Sequence, residues 1–447
     1  MLKYSKYNHI VKLPDGNAFV LANFRTGAVV RLTPLSKAMF DQATELPETA
    51  KPIREFLRGG FLVGYDEMRH MRTQALQASG AGDGLGITVC PTLACNFACP
   101  YCFESARPGR MSEETQDALV KFVEEEMRLF RLKHFEVTWF GGEPLLFPCI
   151  IESLSERFID ICQKQGADYS AGIITNGWFL TEKNARLLER VKVKMMQITL
   201  DGPTPEANDR TRREKSGGSS FARIMENLSH LHPYAKEEGA EEENLPRIHI
   251  RCNVHKGNAP LFGELKEKIA AIAKETGVNI SAYPSIMDAC GEKPRAVKDD
   301  ALSMEQFADI LDSDAMSHRE GISAYRRVFC MAHRLHAYAI DERGYLYKCW
   351  EDVGRSDMAF GNVKSFSLIR EPDARINMED RYFETLFPED DKECMECKVF
   401  PLCVGGCPHK RITTGRNCPP EKMNPDGYVL ARWREKMKKN EKDTQAK

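Results

Sequence analysis

The chain has 447 residues, too many for one ordinary core, so two or three domains are expected, with an α/β barrel as a candidate for the large one. A formal net charge of -2 gives no global basic field, which argues against nucleic acid or an anionic membrane as the main partner and leaves small molecules or peptides. No run reaches the roughly 18 apolar residues of a membrane helix, and the first five residues open no signal peptide, so a cytoplasmic protein is expected.

In chain order, strand-like runs at 10–13, 18–23 and 28–32 precede two helical candidates at 36–44 and 51–58. That order fits a winged-helix-like module over residues 1–84, with the Ala- and Gly-rich stretch 78–84 as the linker that ends it. From 85 to 300, short β-branched runs alternate with longer amphipathic stretches, the pattern of repeated βα units around a parallel sheet. Strands are expected near 86–92, 135–141, 170–176, 195–201, 247–254 and 279–284, with helices over 113–132, 150–164 and 261–276. Six such units make a partial (β/α)6 barrel, an α/β fold whose chemistry belongs at the carboxyl ends of the strands. Residues 301–329 read as a bridging helix and 330–447 as a cysteine-bearing domain with a tail. The acidic stretch 237–243 reads as a solvated loop and 435–447 as a charged helix end.

Fifteen cysteines without a secretion signal point away from disulfides and toward metal ligation. Ten of them fall in two groups, Cys95 to Cys102 and Cys330 to Cys418, while Cys90, Cys149, Cys162, Cys252 and Cys290 read as small hydrophobes, Cys290 being the one that could also ligate. Cys95, Cys99 and Cys102 lie on one loop after the first barrel strand, spaced to reach a single cluster. Three local thiols leave one iron of a 4Fe-4S cluster open. A zinc knuckle is the alternative.

The Cys-x3-Cys-x2-Cys triplet, with Tyr101 before its last cysteine, resembles the signature of radical S-adenosylmethionine (radical SAM) enzymes. In that family the open iron chelates the amino and carboxylate groups of S-adenosylmethionine, and the reduced cluster splits it to methionine and a 5'-deoxyadenosyl radical. Gly141, Gly142, Glu143 and Pro144 after the second strand resemble the family's methionine-binding element, where the Glu143 side chain or nearby carbonyls can meet an ammonium group. Asn176 after the third strand and Asp201 after the fourth resemble elements lining the cofactor pocket. Asn208 stands where the family often has histidine, Arg212 is expected at the cofactor carboxylate, and Asn253 could reach the ribose.

The later cysteines read Cys330-x13-Gly344-x4-Cys349, then Cys394-x2-Cys397-x5-Cys403-x3-Cys407, then Cys418. This resembles the SPASM domain, which binds two auxiliary 4Fe-4S clusters, three clusters in all. By that resemblance Cys394, Cys397, Cys403 and Cys418 close the outer cluster, and Cys330, Cys349 and Cys407 hold the inner one; Cys290 could supply the missing eighth ligand of the pair. Two structural zinc sites are the alternative.

Radical SAM joined to SPASM implies a peptide or protein side chain as substrate and a reducing donor such as flavodoxin or ferredoxin. The N-terminal segment resembles the recognition module that grips leader peptides as an added strand. The expected function is therefore maturation of a ribosomally made precursor peptide bearing a leader, by thioether or other radical cross-linking. The alternative within the family is sulfatase maturation to formylglycine, whose enzymes place an aspartate directly after the second SPASM cysteine, whereas Cys349 is followed by Trp350, Glu351 and Asp352. A non-catalytic electron carrier or scaffold is the alternative of another class.

Overall fold

The computed structural model describes residues 2–14, 16–80, 82–104, 106–231, 234, 246–287, 300–311, 325–365 and 380–445. Cys290 and the acidic stretch 237–243 lie outside them. The chain forms two compact units, one of residues 1–81, 303–334 and 381–447, the other of residues 82–302 and 335–380.

The first unit opens with β1 (Lys3–Tyr4) and a three-stranded antiparallel meander, β2 (Asn8–Lys12), β3 (Phe19–Asn23) and β4 (Val29–Leu32). Helix α1 (Pro34–Asp41) follows, started by reciprocal hydrogen bonds between Thr33 and Ser36 and by Pro34 in its first turn. Then come α2 (Lys51–Arg58) and β5 (Leu62–Val63), which pairs with β1. Alternation along β3 divides the side chains between two cores. Leu21 joins Leu32, Phe40, Ile53 and Phe56 on the α1 and α2 side, while Val20 and Ala22 face the other way.

The expected linker is a correction. Residues 78–80 are the end of a third helix, α3 (Glu67–Gly80), whose Met71 and Ala75 are fully buried. Apolar positions four residues apart outweigh the small-residue composition that suggested a flexible stretch.

In the second unit, β6 (Gly84–Val89), β7 (His134–Trp139), β8 (Asp168–Thr175), β9 (Val193–Thr199), β10 (Arg247–Val254) and β11 (Ile280–Ile286) pair in parallel and in sequence order. Connecting helices include α4 (Glu113–Phe130), α5 (Pro148–Gln165), α6 (Glu182–Arg190), α7 (Pro205–Asp209), α8 (Ser220–Ser229) and α9 (Phe262–Thr276). Serine or threonine hydroxyls cap α4, α6, α7 and α8, accepting from a first-turn N–H. Glycines in the left-handed region, Gly166 and Gly277, end α5 and α9. Val137, Trp139, Ile173, Ile198 and Ile250 are fully buried, as a parallel sheet covered by helices requires.

The described part of this sheet has nine strands, three more than expected. Strand β12 (Ala337–Ile340) pairs in parallel with β6, and β13 (Tyr345–Tyr347) and β14 (Gly361–Asn362) continue antiparallel beyond it. The segment around Cys349 is thereby built onto the first barrel strand. Gly344 makes the β12–β13 turn at φ +88°, a conformation that a side chain would strain. Short helices in the first unit carry Cys394 and Cys403, with Cys397, Cys407 and Cys418 in the turns around them, followed by a helix over Pro425–Gln445. No helix among the described residues is long and apolar enough to cross a membrane.

Candidate active site

Strand β6 ends at Val89, and the loop beyond it carries Cys95, Cys99 and Cys102. Backbone bonds continue the ladder past the strand ends: Phe140 N–H donates to Val89 O at 2.9 Å, Gly142 N–H to Thr92 O at 3.1 Å and Glu143 N–H to Ala94 O at 2.9 Å. Only glycine permits that approach. A Cβ on Gly142 would stand 2.3 Å from the Ala94 carbonyl oxygen, and one on Gly141, at φ +104°, would stand 2.3 Å from that of Thr92. The glycine pair thus seats the cysteine loop. Burial pushes the Cys95 thiol up to about 11 and Cys102 up to about 12, and raises Cys99 as well. Iron takes thiolates, so loading this loop would release protons.

Glu143 is fully buried. Its Oε1 accepts from the Leu145 N–H at 2.9 Å and the Thr175 hydroxyl at 2.8 Å, and its Oε2 from the Asn176 N–H at 2.7 Å. The carboxylate ties the end of β7 to the end of β8. Asn176 donates through Nδ2 to Asn96 Oδ1 at 2.8 Å and lies 3.8 Å from Cys95 Sγ.

A second network centres on Asp201, which is fully buried at the end of β9. It accepts from the Tyr101 hydroxyl at 2.5 Å, the Thr211 hydroxyl at 2.8 Å, and the backbone and side-chain N–H groups of Asn253 at 3.0 and 3.2 Å. Asn208 closes the turn by accepting the Asp201 N–H at 2.9 Å. Asn253 also donates to Tyr101 at 3.1 Å and accepts from Arg251, so its side chain serves the strand ends. Arg212 donates to the Tyr101 hydroxyl at 3.2 Å and lies over the Phe97 ring at 5.3 Å.

Among the described residues, two buried donors here have no partner, Nε of Arg212 and Nδ2 of Asn96. Arg212 is close enough to influence the ionisation of Cys95 and Cys99. Unmet donors beside three clustered thiols suit a ligand that carries a carboxylate and sits on a metal cluster.

In the first unit, Cys394, Cys397, Cys403 and Cys418 line one small enclosed pocket. Arg411 donates to Cys394 Sγ at 3.6 Å and Lys422 to Cys418 Sγ at 3.6 Å, while burial pushes Cys403 up to about 12. Four sulfurs around one cavity, two of them meeting cations, suit an anionic cluster. Gly405 and Gly406, at φ +100° and +87°, turn the chain between Cys403 and Cys407. Burial pushes Cys330 up to about 11, with Cys407 adding to the effect. Cys349 belongs to the other unit, directly before the 3-10 turn Trp350–Asp352.

Three site residues escape the sequence reading. Tyr101 was legible only as the aromatic of the triplet, its hydroxyl network depending on β9 and β10. Asn96 has no pattern signal. Glu104 is buried, and burial, then the charges of Glu351 and Glu342, push it up to about 8.

Residues 89–239, which carry the glycine-seated cysteine triplet and the strand ends around it, match the radical SAM superfamily. The chain is 23% identical over 366 residues to the serine-type anaerobic sulfatase-maturating enzyme of Bacteroides thetaiotaomicron, covering 71% of this chain and 81% of that protein. It is 25% identical over 362 residues to the mycofactocin maturase MftC of Mycobacterium ulcerans, covering 74% and 86%. Among solved structures, anSMEcpe with bound AdoMet and the Kp18Cys peptide superposes with a TM-score of 0.58 at 17% identity over 79% of this chain and 99% of that one. Streptococcus suis SuiB bound to precursor peptide SuiA gives 0.50 at 12% identity over 94% and 98%. At such identities the structural likeness speaks to the fold alone.

Proposed function

We propose that this radical SAM enzyme modifies a ribosomally made precursor peptide, by thioether or another radical cross-link. The names of its relatives support a peptide or protein substrate, since they mature mycofactocin and sulfatases. In this reading residues 1–84 recognise the leader, 85–300 form the radical SAM barrel, 301–329 bridge, and 330–447 form the SPASM domain. Cys95, Cys99 and Cys102 would hold the catalytic cluster, Cys394, Cys397, Cys403 and Cys418 the outer auxiliary cluster, and Cys330, Cys349 and Cys407 the inner one. A flavodoxin or ferredoxin would supply electrons.

When bound, S-adenosylmethionine and the reduced cluster supply a carbon radical able to take a hydrogen atom from the substrate. The chain's own part is placement. Carbonyls of the Gly141–Gly142 loop would receive the cofactor ammonium, Arg212 its carboxylate, and the Asp201 and Tyr101 network would hold Arg212 in place.

Trp350 carries the preference for cross-linking over formylglycine. Its indole N–H donates to Thr88 Oγ1 at 2.9 Å and its ring stacks on Phe140 at 4.9 Å, so the position after Cys349 holds a packed aromatic and no base. The sulfatase reading keeps the support of the Bacteroides relative. Anaerobic reconstitution with leader-core peptides separates the two: a cross-link lowers the mass by about 2 Da without creating an aldehyde. A product captured by a hydrazide would establish formylglycine instead.

A further inference from the structure

Three observations meet on the segment that follows the cysteine triplet. Glu104 is 7% exposed, and among the described residues neither of its carboxyl oxygens has a hydrogen-bond partner. A buried carboxyl without a donor lowers stability, so the site holds it ready for something the protein does not itself provide. Its surroundings are acidic: Glu351, Glu342 and Asp341 are close enough to act on it electrostatically. The neighbouring Arg107 guanidinium does not answer it, because Arg107 donates to Asp341, to both oxygens of Glu342 and to the Gly354 carbonyl. The flank is aromatic. Phe103, 40% exposed, stacks on Phe140 at 6.3 Å, and Phe140 stacks on Trp350 at 4.9 Å. Phe103 adjoins Glu104 along the chain and Trp350 adjoins Glu351, and a carboxyl without a partner in aromatic company is a lining that receives an ammonium or guanidinium group.

We propose that Glu104, with Glu351 and the Phe103, Phe140 and Trp350 rings, forms a subsite for a cationic side chain, lysine or arginine, of the substrate peptide. This rests on the peptide reading and deepens it. The ammonium or guanidinium group donates to Glu104, and the aliphatic stem lies along the exposed ring of Phe103. Glu104 stands two residues past Cys102, so a cation held there fixes the peptide's register relative to the reacting position. The subsite therefore selects precursors with a basic residue at a set distance from the modified one.

The test uses full-length, anaerobically reconstituted enzyme with saturating S-adenosylmethionine, so that the cofactor's own ammonium is already accounted for. Nα-acetyl-lysine methylamide and the uncharged Nα-acetyl-norleucine methylamide are titrated separately, with binding read from broadening of the probe's NMR lines. The lysine probe is expected to bind saturably and the norleucine probe not to bind, and Glu104→Gln is expected to weaken the lysine probe at least about tenfold. Glu351→Gln, outside the cysteine loop, is expected to weaken it severalfold and decides the matter if the first variant loses iron. Equal binding of the two probes, no binding of the lysine probe, or an unchanged affinity in a variant that keeps wild-type iron overturns the subsite. Processing of a precursor, scored by mass, stands or falls separately.

Discussion

At the scale of single residues, the cysteine triplet and its glycine seat form one device. Gly141 and Gly142 let one backbone reach another, and the thiols they position are partly buried, which raises their pKa. Replacing Cys95, Cys99 and Cys102 together with Ala should abolish 5'-deoxyadenosine formation while leaving about eight irons per chain, four at each auxiliary site. Iron analysis beside a cleavage assay checks it, and continued cleavage would remove these three residues from the chemistry. His333 offers a different probe. It is fully buried, with Nε2 2.9 Å from the Thr385 hydroxyl, and burial pushes its pKa down to about 4. The unfolded chain binds a proton near 6.5 that the folded state refuses, so its contribution is present above about 6.5 and is lost as pH falls toward 4. At most this is roughly 3 kcal/mol. Thermal melts of the wild type should drop over that window more than those of His333→Gln, and parallel curves would show that His333 does not report the transition.

At the scale of elements, the attachment of the cysteine loop to the β12–β13 turn is a polar clasp. Arg107 donates to Asp341 at 2.9 Å and to Glu342 at 2.7 and 3.1 Å, and both acids are buried. Burial, then Glu342, raises the pKa of Asp341 even with this guanidinium in place. Arg107→Leu should therefore cost about 3–5 kcal/mol, because it leaves buried Asp341 without its cation and Glu342 with only Arg343, 3.5 Å away. Denaturant melts of the variant and of Arg107→Lys, expected to recover only part of the loss, measure it; a change within error would mean that the acids find other partners. This clasp was invisible in the sequence, since it joins residues more than two hundred positions apart. What was legible followed local periodicity and spacing: β10 and α2 have the bounds expected for them, and the cysteine triplet and Gly-Gly-Glu fall on consecutive strand ends. Helix α3 was missed because alanine and glycine near its end imitate a linker. Strands β12 and β13 were missed because three- and four-residue runs carry too little pattern. Tyr101 was under-read because its value lies in the hydroxyl, whose partners come from other strands.

At the scale of the whole chain, the first eighty residues share a core with the cysteine-bearing C-terminal segment. Tyr7, Val11, Val20, Ala22, Phe24, Met71 and Ala75 cluster with Leu386, Phe387, Cys394, Val399, Phe400 and Val404, and Phe24 packs on Tyr428 with ring centroids 6.1 Å apart. Polar ties reinforce the junction: Lys6 donates to the Met395 carbonyl at 2.8 Å, and the Tyr325 hydroxyl to that of Met71 at 2.6 Å. A recognition module hung on a linker could be removed while the rest kept its clusters. Here the same cut would strip one side from the core that holds Cys394 and against which Cys397 packs, exposing large apolar side chains. Deleting residues 1–84 should thus lower iron by about four per chain and promote aggregation, besides weakening any precursor processing. A point variant separates support from recognition. Phe24→Ala leaves the chain complete and should cost about 3–5 kcal/mol through the cavity it opens, with iron at the four-cysteine pocket becoming easier to chelate. If the truncated protein retains its full iron and Phe24→Ala loses iron no faster than wild type, the N-terminal segment is a separable module after all, and the shared core does not hold the outer site together.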